Sequence, residues 1–174
     1  TIEGNIVGED AHAARPHLGQ NAIEVGAAII EDLRSTYTNP MVPTSVKMTR
    51  FQAGGTAANI IPGRAEFTLD VRAQENSVMK ELKSNIQRVM DSEELLYKVK
   101  INTHIASDLV AAEVNPIAMH LMEQAIIDSV GEANLRPPVH TPGGEDFHHY
   151  AVQRPALKTT MLGLGCGLEP GLHH

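Results

Sequence analysis

The sequence predicts an α+β fold: a four-stranded antiparallel sheet with two helices on one face, followed by a partial α/β segment. Two patterns predict it. Segments in which apolar and polar residues alternate are typical of strands with one buried face, and segments with apolar residues three or four positions apart are typical of helices. In the first part of the chain these segments follow the order strand, helix, strand, strand, helix, strand. That order closes into one sheet with both helices on the same side.

The elements of this sheet domain end near Ser107. The predicted strands are residues 2–7, 45–52, 65–71 and 97–105, and the predicted helices are residues 21–34 and 77–90. The first helix is indicated by apolar residues at helical spacing, namely Ile23, Ala27, Ile30 and Leu33. In the third strand a slip of one residue would expose Phe67 and Leu69, so the apolar pattern also predicts the register.

Residues 108–174 have a different character and predict a second, incomplete unit. A helix is predicted over residues 116–130, a short helix over 145–152, and an apolar strand of the buried, parallel kind over 157–164. These pieces make a poor independent core. We therefore expect two parts, residues 1–107 and the remainder, of which the second is the tail of an α/β sheet.

Composition excludes several classes of function. The formal net charge of −7 argues against a nucleic-acid-binding surface, which needs clustered Lys and Arg. No run of about 18 apolar residues is present to cross a membrane, and no basic-then-apolar leader marks secretion. The single cysteine, Cys166, cannot form an internal disulfide and suits a reducing compartment. We therefore expect a cytoplasmic protein with neither nucleic-acid nor membrane partners.

Three segments carry the candidate chemistry. The first, residues 8–23, places His12 among small residues that leave its imidazole accessible. The helix that follows points its positive end toward this loop, which favours an anionic ligand there. The second segment, residues 54–63, is glycine-rich and leads directly into an alternating strand. The third, residues 165–174, is a Gly/Pro-rich loop that ends in Leu-His-His.

Together these segments resemble the zinc-dependent aminoacylase and carboxypeptidase family, nearest to the branch with hippurate hydrolase and the indole-acetyl-amino-acid hydrolases. The runs GEDAHAARPHLGQNAIEVGAAI and MLGLGCGLEPGLHH carry the resemblance, which covers nearly the whole chain. It implies that residues 1–107 are a lid and dimerisation domain and residues 108–174 the C-terminal part of a metal-dependent catalytic domain. In that family the lid is inserted into the catalytic domain, and most metal ligands and the general-base carboxylate lie upstream. The chain is thus expected to be an inactive fragment of an amidohydrolase.

The resemblance also implies roles for single residues. His12 would cross the dimer interface and donate a hydrogen bond to the scissile carbonyl oxygen of a small amide substrate. Asn59 and Arg72 would hold the carboxylate of the substrate, which the planar guanidinium fork matches. Gly144 would line the substrate pocket. His173 would be one ligand of a two-metal centre, with zinc as the metal and two ions per full-length subunit.

Each role has a plainer alternative. His12 can be a solvated loop histidine, and His173 can belong to a frayed terminus or a purification tag. Arg72 can be a strand-end charge paired with Asp70 or Glu75. A second class of function is also open, a ferredoxin-like dimerisation or small-molecule-binding module without catalysis. In both classes we expect a homodimer formed through the lid, since an open sheet edge or an apolar helix face otherwise lacks a partner.

Overall fold

The computed structural model describes residues 1–167 of the 174-residue chain. They fall into two compact units, Thr1–Asp108 and the part of the chain from Leu109 onward. The predicted metal ligand His173 lies outside the described residues. The identity of the two units as lid and catalytic segment stays a prediction at this point.

A four-stranded antiparallel sheet forms the first unit, which confirms the predicted fold class. Its strands are β1 (Ile2–Val7), β3 (Thr44–Ala53), β5 (Arg64–Ala73) and β6 (Lys100–Ile105), while β2 (Ala11–His12) and β4 (Ile60–Ile61) form a separate pair. The order in the sheet is β3-β5-β1-β6, so β3 and β6 are the edges. Each neighbouring pair is antiparallel.

Two helices, α1 (Ala22–Arg34) and α2 (Asn76–Tyr97), pack against this sheet and share one apolar core with it. Phe67 and Leu69 lie at the centre of the core and are 1% and 0% exposed. Their strand pairs with β1 so that Leu69 stands opposite Ile2. The predicted register of β5 is therefore confirmed.

Helix α1 buries a different face from the one its apolar spacing indicates. Its buried residues are Ala22, Val25, Gly26, Ile29 and Leu33. Ile23 and Ile30 are 48% and 39% exposed, and Ala27 between them is exposed as well. The helix is apolar on two faces. The face that carries Gly26 packs inward, because the glycine leaves room for a phenylalanine ring of β3 that a Cβ would displace. Ile23, Ala27 and Ile30 are called the outer stripe of α1 below.

Helix α2 is longer than predicted, and β6 is correspondingly shorter. The helix continues to Tyr97 and ends at Lys98, whose φ of 55° lies in the left-handed region. Strand β6 therefore begins at Lys100, and the expectation that residue 97 opens the strand is wrong. Tyr97 packs against the core from the helix. One turn earlier, the core face of α2 carries a buried carboxyl group, Glu93, which is 3% exposed.

The second unit contains two helices, α3 (Pro116–Val130) and α4 (His148–Gln153). Within residues 109–167, Ala151 is the one buried residue. The predicted strand over residues 157–164 is wrong, since this stretch has neither strand nor helix. A parallel strand needs neighbouring strands to take up its backbone hydrogen bonds. No helix in the described part of the chain is long and apolar enough to span a membrane.

Candidate functional site

A two-stranded ribbon outside the main sheet brings two of the predicted site residues together. Strands β2 and β4 pair so that His12 stands opposite Ile60. Beside this pair, the amide of Ala13 donates to the carbonyl oxygen of Asn59 at 2.8 Å. The side chains of His12 and Asn59 consequently meet, with 3.4 Å between Nε2 and Nδ2. Both residues are predicted from the sequence but the ribbon is not, because two-residue strands carry no periodic signal.

The ribbon is fixed to the end of the main sheet where β1 stops and β5 starts. The amide of Gly8 donates to the carbonyl oxygen of Gly63 at 2.7 Å. In return, the amide of Gly63 donates to Asp10 Oδ1 at 2.6 Å. Gly63 is required for this close approach, because a Cβ at this position would lie 2.5 Å from the carbonyl carbon of Glu9. The segment that carries His12 is therefore tied directly to the sheet.

Residue Gln20 holds the same segment from the other side. Its amide donates to the carbonyl oxygen of Glu9 at 3.0 Å, and its side-chain oxygen accepts from the Glu9 amide at 2.9 Å. The start of α1 follows at once, but its first amides are engaged. Ala22 donates to the carbonyl oxygen of Pro62 at 2.8 Å, and Ile23 donates to the capping side chain of Asn21 at 3.1 Å. We therefore assign no anion site to this helix end.

The imidazole of His12 is oriented by its own loop. The amide of Ala14 donates to His12 Nδ1 at 3.1 Å. In the neutral ring one nitrogen accepts and the other carries the proton, so this bond places the proton on Nε2. His12 therefore presents an N–H donor, and the ring lies on an exposed part of the protein.

The carboxamide of Asn59 faces this donor. A backbone amide cannot reverse its role, whereas a carboxamide can rotate by 180° and exchange its oxygen and nitrogen. We infer that Asn59 Oδ1 accepts from His12 Nε2 when no ligand is bound. After rotation the same side chain offers a second N–H beside that of His12, and the two donors could then point at a single oxygen atom.

Arg72 is not part of this cluster. It lies eight residues further along β5 than Arg64, or about 26 Å at the usual rise of a strand. Its Nε donates to Asp70 Oδ2 at 2.7 Å, which is the strand-end ion pair considered above as the plainer alternative. A single copy of the chain therefore separates Arg72 from His12 and Asn59 by nearly the whole length of the sheet.

Of the remaining predicted site residues, only Gly144 lies in the described structure, and the predicted metal ligand His173 lies outside it. Gly144 is exposed and packs against Leu109, since a Cβ on the glycine would lie 2.7 Å from a leucine methyl group. Among residues 1–167, no group of three or more His, Cys, Asp and Glu side chains could hold a metal ion. The described residues thus do not fit a two-zinc site.

The carboxyl group of Glu93, which lies away from the ribbon, has a raised pKa. Burial, together with the hydrogen bond to the Asp32 side chain and the charge of that group, raises the pKa of Glu93 from 4.5 to about 7. Oxygen Oε2 of Glu93 is buried without a hydrogen-bond partner. This pair joins α2 to α1 within the helix layer.

Residues 1–98 match the M20 peptidase dimerisation domain. Similar curated proteins include an N-acetyldiaminopimelate deacetylase of Leuconostoc mesenteroides, 29% identical over an alignment of 179 positions that covers 99% of this chain and 44% of the relative. A succinyl-diaminopimelate desuccinylase of Magnetococcus marinus is 26% identical over 164 residues, or 91% of this chain and 41% of the relative. The solved structure of an aminobenzoyl-glutamate utilization protein from Klebsiella pneumoniae shares the fold, with a TM-score of 0.75, 19% identity, and coverage of 89% of this chain and 40% of that chain. This chain spans less than half the length of these relatives.

Proposed function

Because this chain belongs to the family of M20 peptidase dimerisation domains, we propose that it is the dimer-forming part of an amide hydrolase. The substrate class we propose is an N-acyl amino acid or a peptide-like amide with a free carboxylate. The names of the two curated relatives, a deacetylase and a desuccinylase of diaminopimelate derivatives, support an acyl group on an amino acid. Within the family, the amino-acid sequences of the three motifs favour the branch of hippurate and indole-acetyl-amino-acid hydrolases.

The observation that carries the proposal is the pairing of His12 with Asn59 on the exposed ribbon. Hydrolysis of an amide builds negative charge on the carbonyl oxygen, and fixed N–H donors lower the barrier when they point at that oxygen. His12 meets this requirement because the bond from Ala14 leaves the proton on Nε2. The contact with His12 favours a role for Asn59 other than the carboxylate contact that the resemblance implies: it orients the free ring and rotates to become a second donor when substrate arrives.

The substrate carboxylate is assigned to Arg72, and this requires two copies of the chain. A small N-acyl amino acid is far shorter than the roughly 26 Å between Arg72 and Arg64, the β5 residue that follows the ribbon attachment at Gly63. One site therefore combines His12 and Asn59 of one copy with Arg72 of the other. Arg72 already holds Asp70, so the substrate carboxylate has to share the guanidinium with that side chain.

The surface proposed for the dimer combines an edge strand with the outer stripe of α1. Strand β3 is ten residues long and has one edge without a neighbour in the sheet. Helix α1 packs on β3 and β5, at the same end of the sheet as this edge, and its exposed outer stripe is proposed as the second part of the interface. Two copies related by a two-fold axis can pair their β3 edges and cover Ile23, Ala27 and Ile30 at once.

The activity is proposed for the whole protein and not for residues 1–174 alone. The resemblance assigns a zinc pair to the catalytic domain, with His173 as one ligand and Gly144 in the substrate pocket. Since the described residues do not fit such a centre, no step of the proposed mechanism runs through a metal. What this chain supplies is the oxyanion donor, the carboxylate contact and the dimer that brings them together.

The test compares two histidines of the same segment in the full-length protein, with a panel of N-acetyl amino acids as substrates. His12→Ala should lower kcat by about 10²–10³ without changing the metal content. His17→Ala is the matched control, since His17 is also exposed and lies in the short helix Pro16–Leu18, and it should leave kcat within about twofold. Equal kcat values for wild type and His12→Ala would contradict the catalytic assignment and favour a non-catalytic ferredoxin-like module.

A further inference from the structure

We propose that Asp10 is a positioning residue for His12, acting through the backbone amide of Gly63. The proposal rests on the role of His12 given above. Asp10 lies directly before β2, the strand that carries His12, and Gly63 lies directly before β5. The 2.6 Å bond between Asp10 Oδ1 and the Gly63 amide therefore joins the base of the ribbon to the residue that leads into a long sheet strand.

This bond differs in kind from the others that hold the ribbon. The bonds Gly8 to Gly63 and Ala13 to Asn59 run between backbone groups and are compatible with any side chains. The Asp10 bond is made by a side chain only two residues from His12. It binds the backbone of Gly63, which approaches the segment so closely that a Cβ on Gly63 would collide with Glu9. Its loss should free the base of β2 while the backbone bonds keep the fold.

Loss of the Asp10 bond is expected to make the position of the His12 imidazole less precise and to leave the protein folded. Displacement of the segment weakens the bond from Ala14 to His12 Nδ1, which is the bond that fixes the proton on Nε2. A mispositioned donor stabilises the transition state poorly, and a shift of about 1 Å can cost about 100-fold in rate. Asp10→Asn keeps the accepting oxygen and should preserve most of the effect.

The first experiment reads the ring directly, in the 174-residue chain. Long-range ¹H–¹⁵N correlation spectra distinguish the two neutral tautomers of histidine, and comparison with His12→Gln identifies the signal of His12. We expect the Nε2–H pattern in wild type and in Asp10→Asn, and a broadened or averaged pattern in Asp10→Ala. Asn39→Ala is the matched control, because Asn39 also accepts from a backbone amide, that of Met41 at 3.0 Å, in the turn between α1 and β3.

The second experiment is a double-mutant cycle in the full-length protein, with N-acetyl amino acids as substrates. Asp10→Ala should lower kcat by about 10–100-fold with KM within about threefold, and should cost nothing more once His12 is alanine. An unchanged His12 pattern in folded Asp10→Ala, or an equal loss of kcat in the His12→Ala background, would overturn the proposal. Failure of the proposed function looks different: His12→Ala itself would then leave kcat unchanged.

Discussion

The two ends of strand β5 hold their functional side chains in different ways. At the start of the strand, His12 and Asn59 sit on a ribbon that is fixed by backbone bonds, by Asp10 and by Gln20. At the other end, Arg72 projects from a regular strand position and is bonded to Asp70. The first end presents an oriented N–H donor, whereas the second presents a guanidinium that is already paired with a carboxylate.

This difference matches what each end is proposed to contact. A developing oxyanion is stabilised only by donors that are already in place, since reorganisation during the reaction would cost energy. A carboxylate away from the reacting bond needs a partner of matching charge and planar shape, which the guanidinium of an arginine supplies. In the proposed mechanism the two contacts lie far apart within one copy, so dimerisation is expected to be a condition for catalysis.

The largest expected effect comes from separating the two copies. Ile30→Glu places a carboxylate in the outer stripe of α1, where a dimer would bury it, and an unpaired buried charge is strongly destabilising. We expect the dimer dissociation constant to rise by at least about 100-fold in sedimentation experiments, and kcat of the full-length protein to fall to about the level of His12→Ala. Leu96→Glu is the control, since Leu96 is an exposed residue of α2 outside the stripe. A dimeric, fully active Ile30→Glu would rule out this interface.

Removal of the charge at the far end of β5 should affect binding more than turnover. Arg72→Ala is expected to raise KM by about 10–100-fold and to change kcat by less than about threefold. Arg72→Lys should restore little, because an ammonium group cannot bind a carboxylate in the bidentate manner of a guanidinium. The Arg72–Asp70 pair is partly exposed, with side chains 46% and 33% accessible, so neither variant should change the free energy of unfolding by more than about 1 kcal/mol. A loss confined to kcat would show that Arg72 belongs to the chemistry instead.

The smallest effect on activity is expected at Glu93, which lies in helix α2 and not on strand β5. A carboxyl group whose pKa is raised to about 7 in the folded state, from 4.5, binds its proton more tightly when folded. The folded state therefore loses stability as the pH rises from 4.5 to 7, and stays less stable above that. Glu93→Gln should flatten this dependence and raise the free energy of unfolding at pH 8 by about 2 kcal/mol, with kcat unchanged. Denaturant titrations at pH 5 and pH 8 provide the measurement, and identical wild-type stability at both would refute the assignment.

Much of the first unit could be predicted from the sequence because its strands each have one buried and one solvated face. The alternation of apolar and polar residues around Phe67 and Leu69 predicts both the strand and its register, and the observed sheet confirms both. Helix α1 was harder, because it has two apolar faces and periodicity alone does not say which one packs inward. The choice depends on Gly26 and a β3 phenylalanine ring, a contact between residues distant in sequence.

The candidate site was predictable as a set of residues but not as an arrangement. The motif resemblance named His12, Asn59 and Arg72, yet nothing in their spacing shows that two of them meet and the third stands at the far end of a strand. The second unit was predicted less well for a related reason. Apolar residues such as Leu162 and Leu164 suggest a buried strand, but they are 57% and 84% exposed here. The apolar composition of a segment does not show which neighbouring element, if any, will cover that segment.

The central claim is that one active site takes its oxyanion donor and its carboxylate contact from different copies of the chain. Mixing full-length His12→Ala with full-length Arg72→Ala tests it most directly, with activity measured at a substrate concentration below KM. In a heterodimer, one site then receives the intact Arg72 of the first variant and the intact His12 of the second. Random exchange should restore about a quarter of the wild-type activity, since half of the dimers are mixed and each has one complete site. If heterodimers form and activity stays at the level of the separate variants, the site does not combine His12 and Arg72 from different copies.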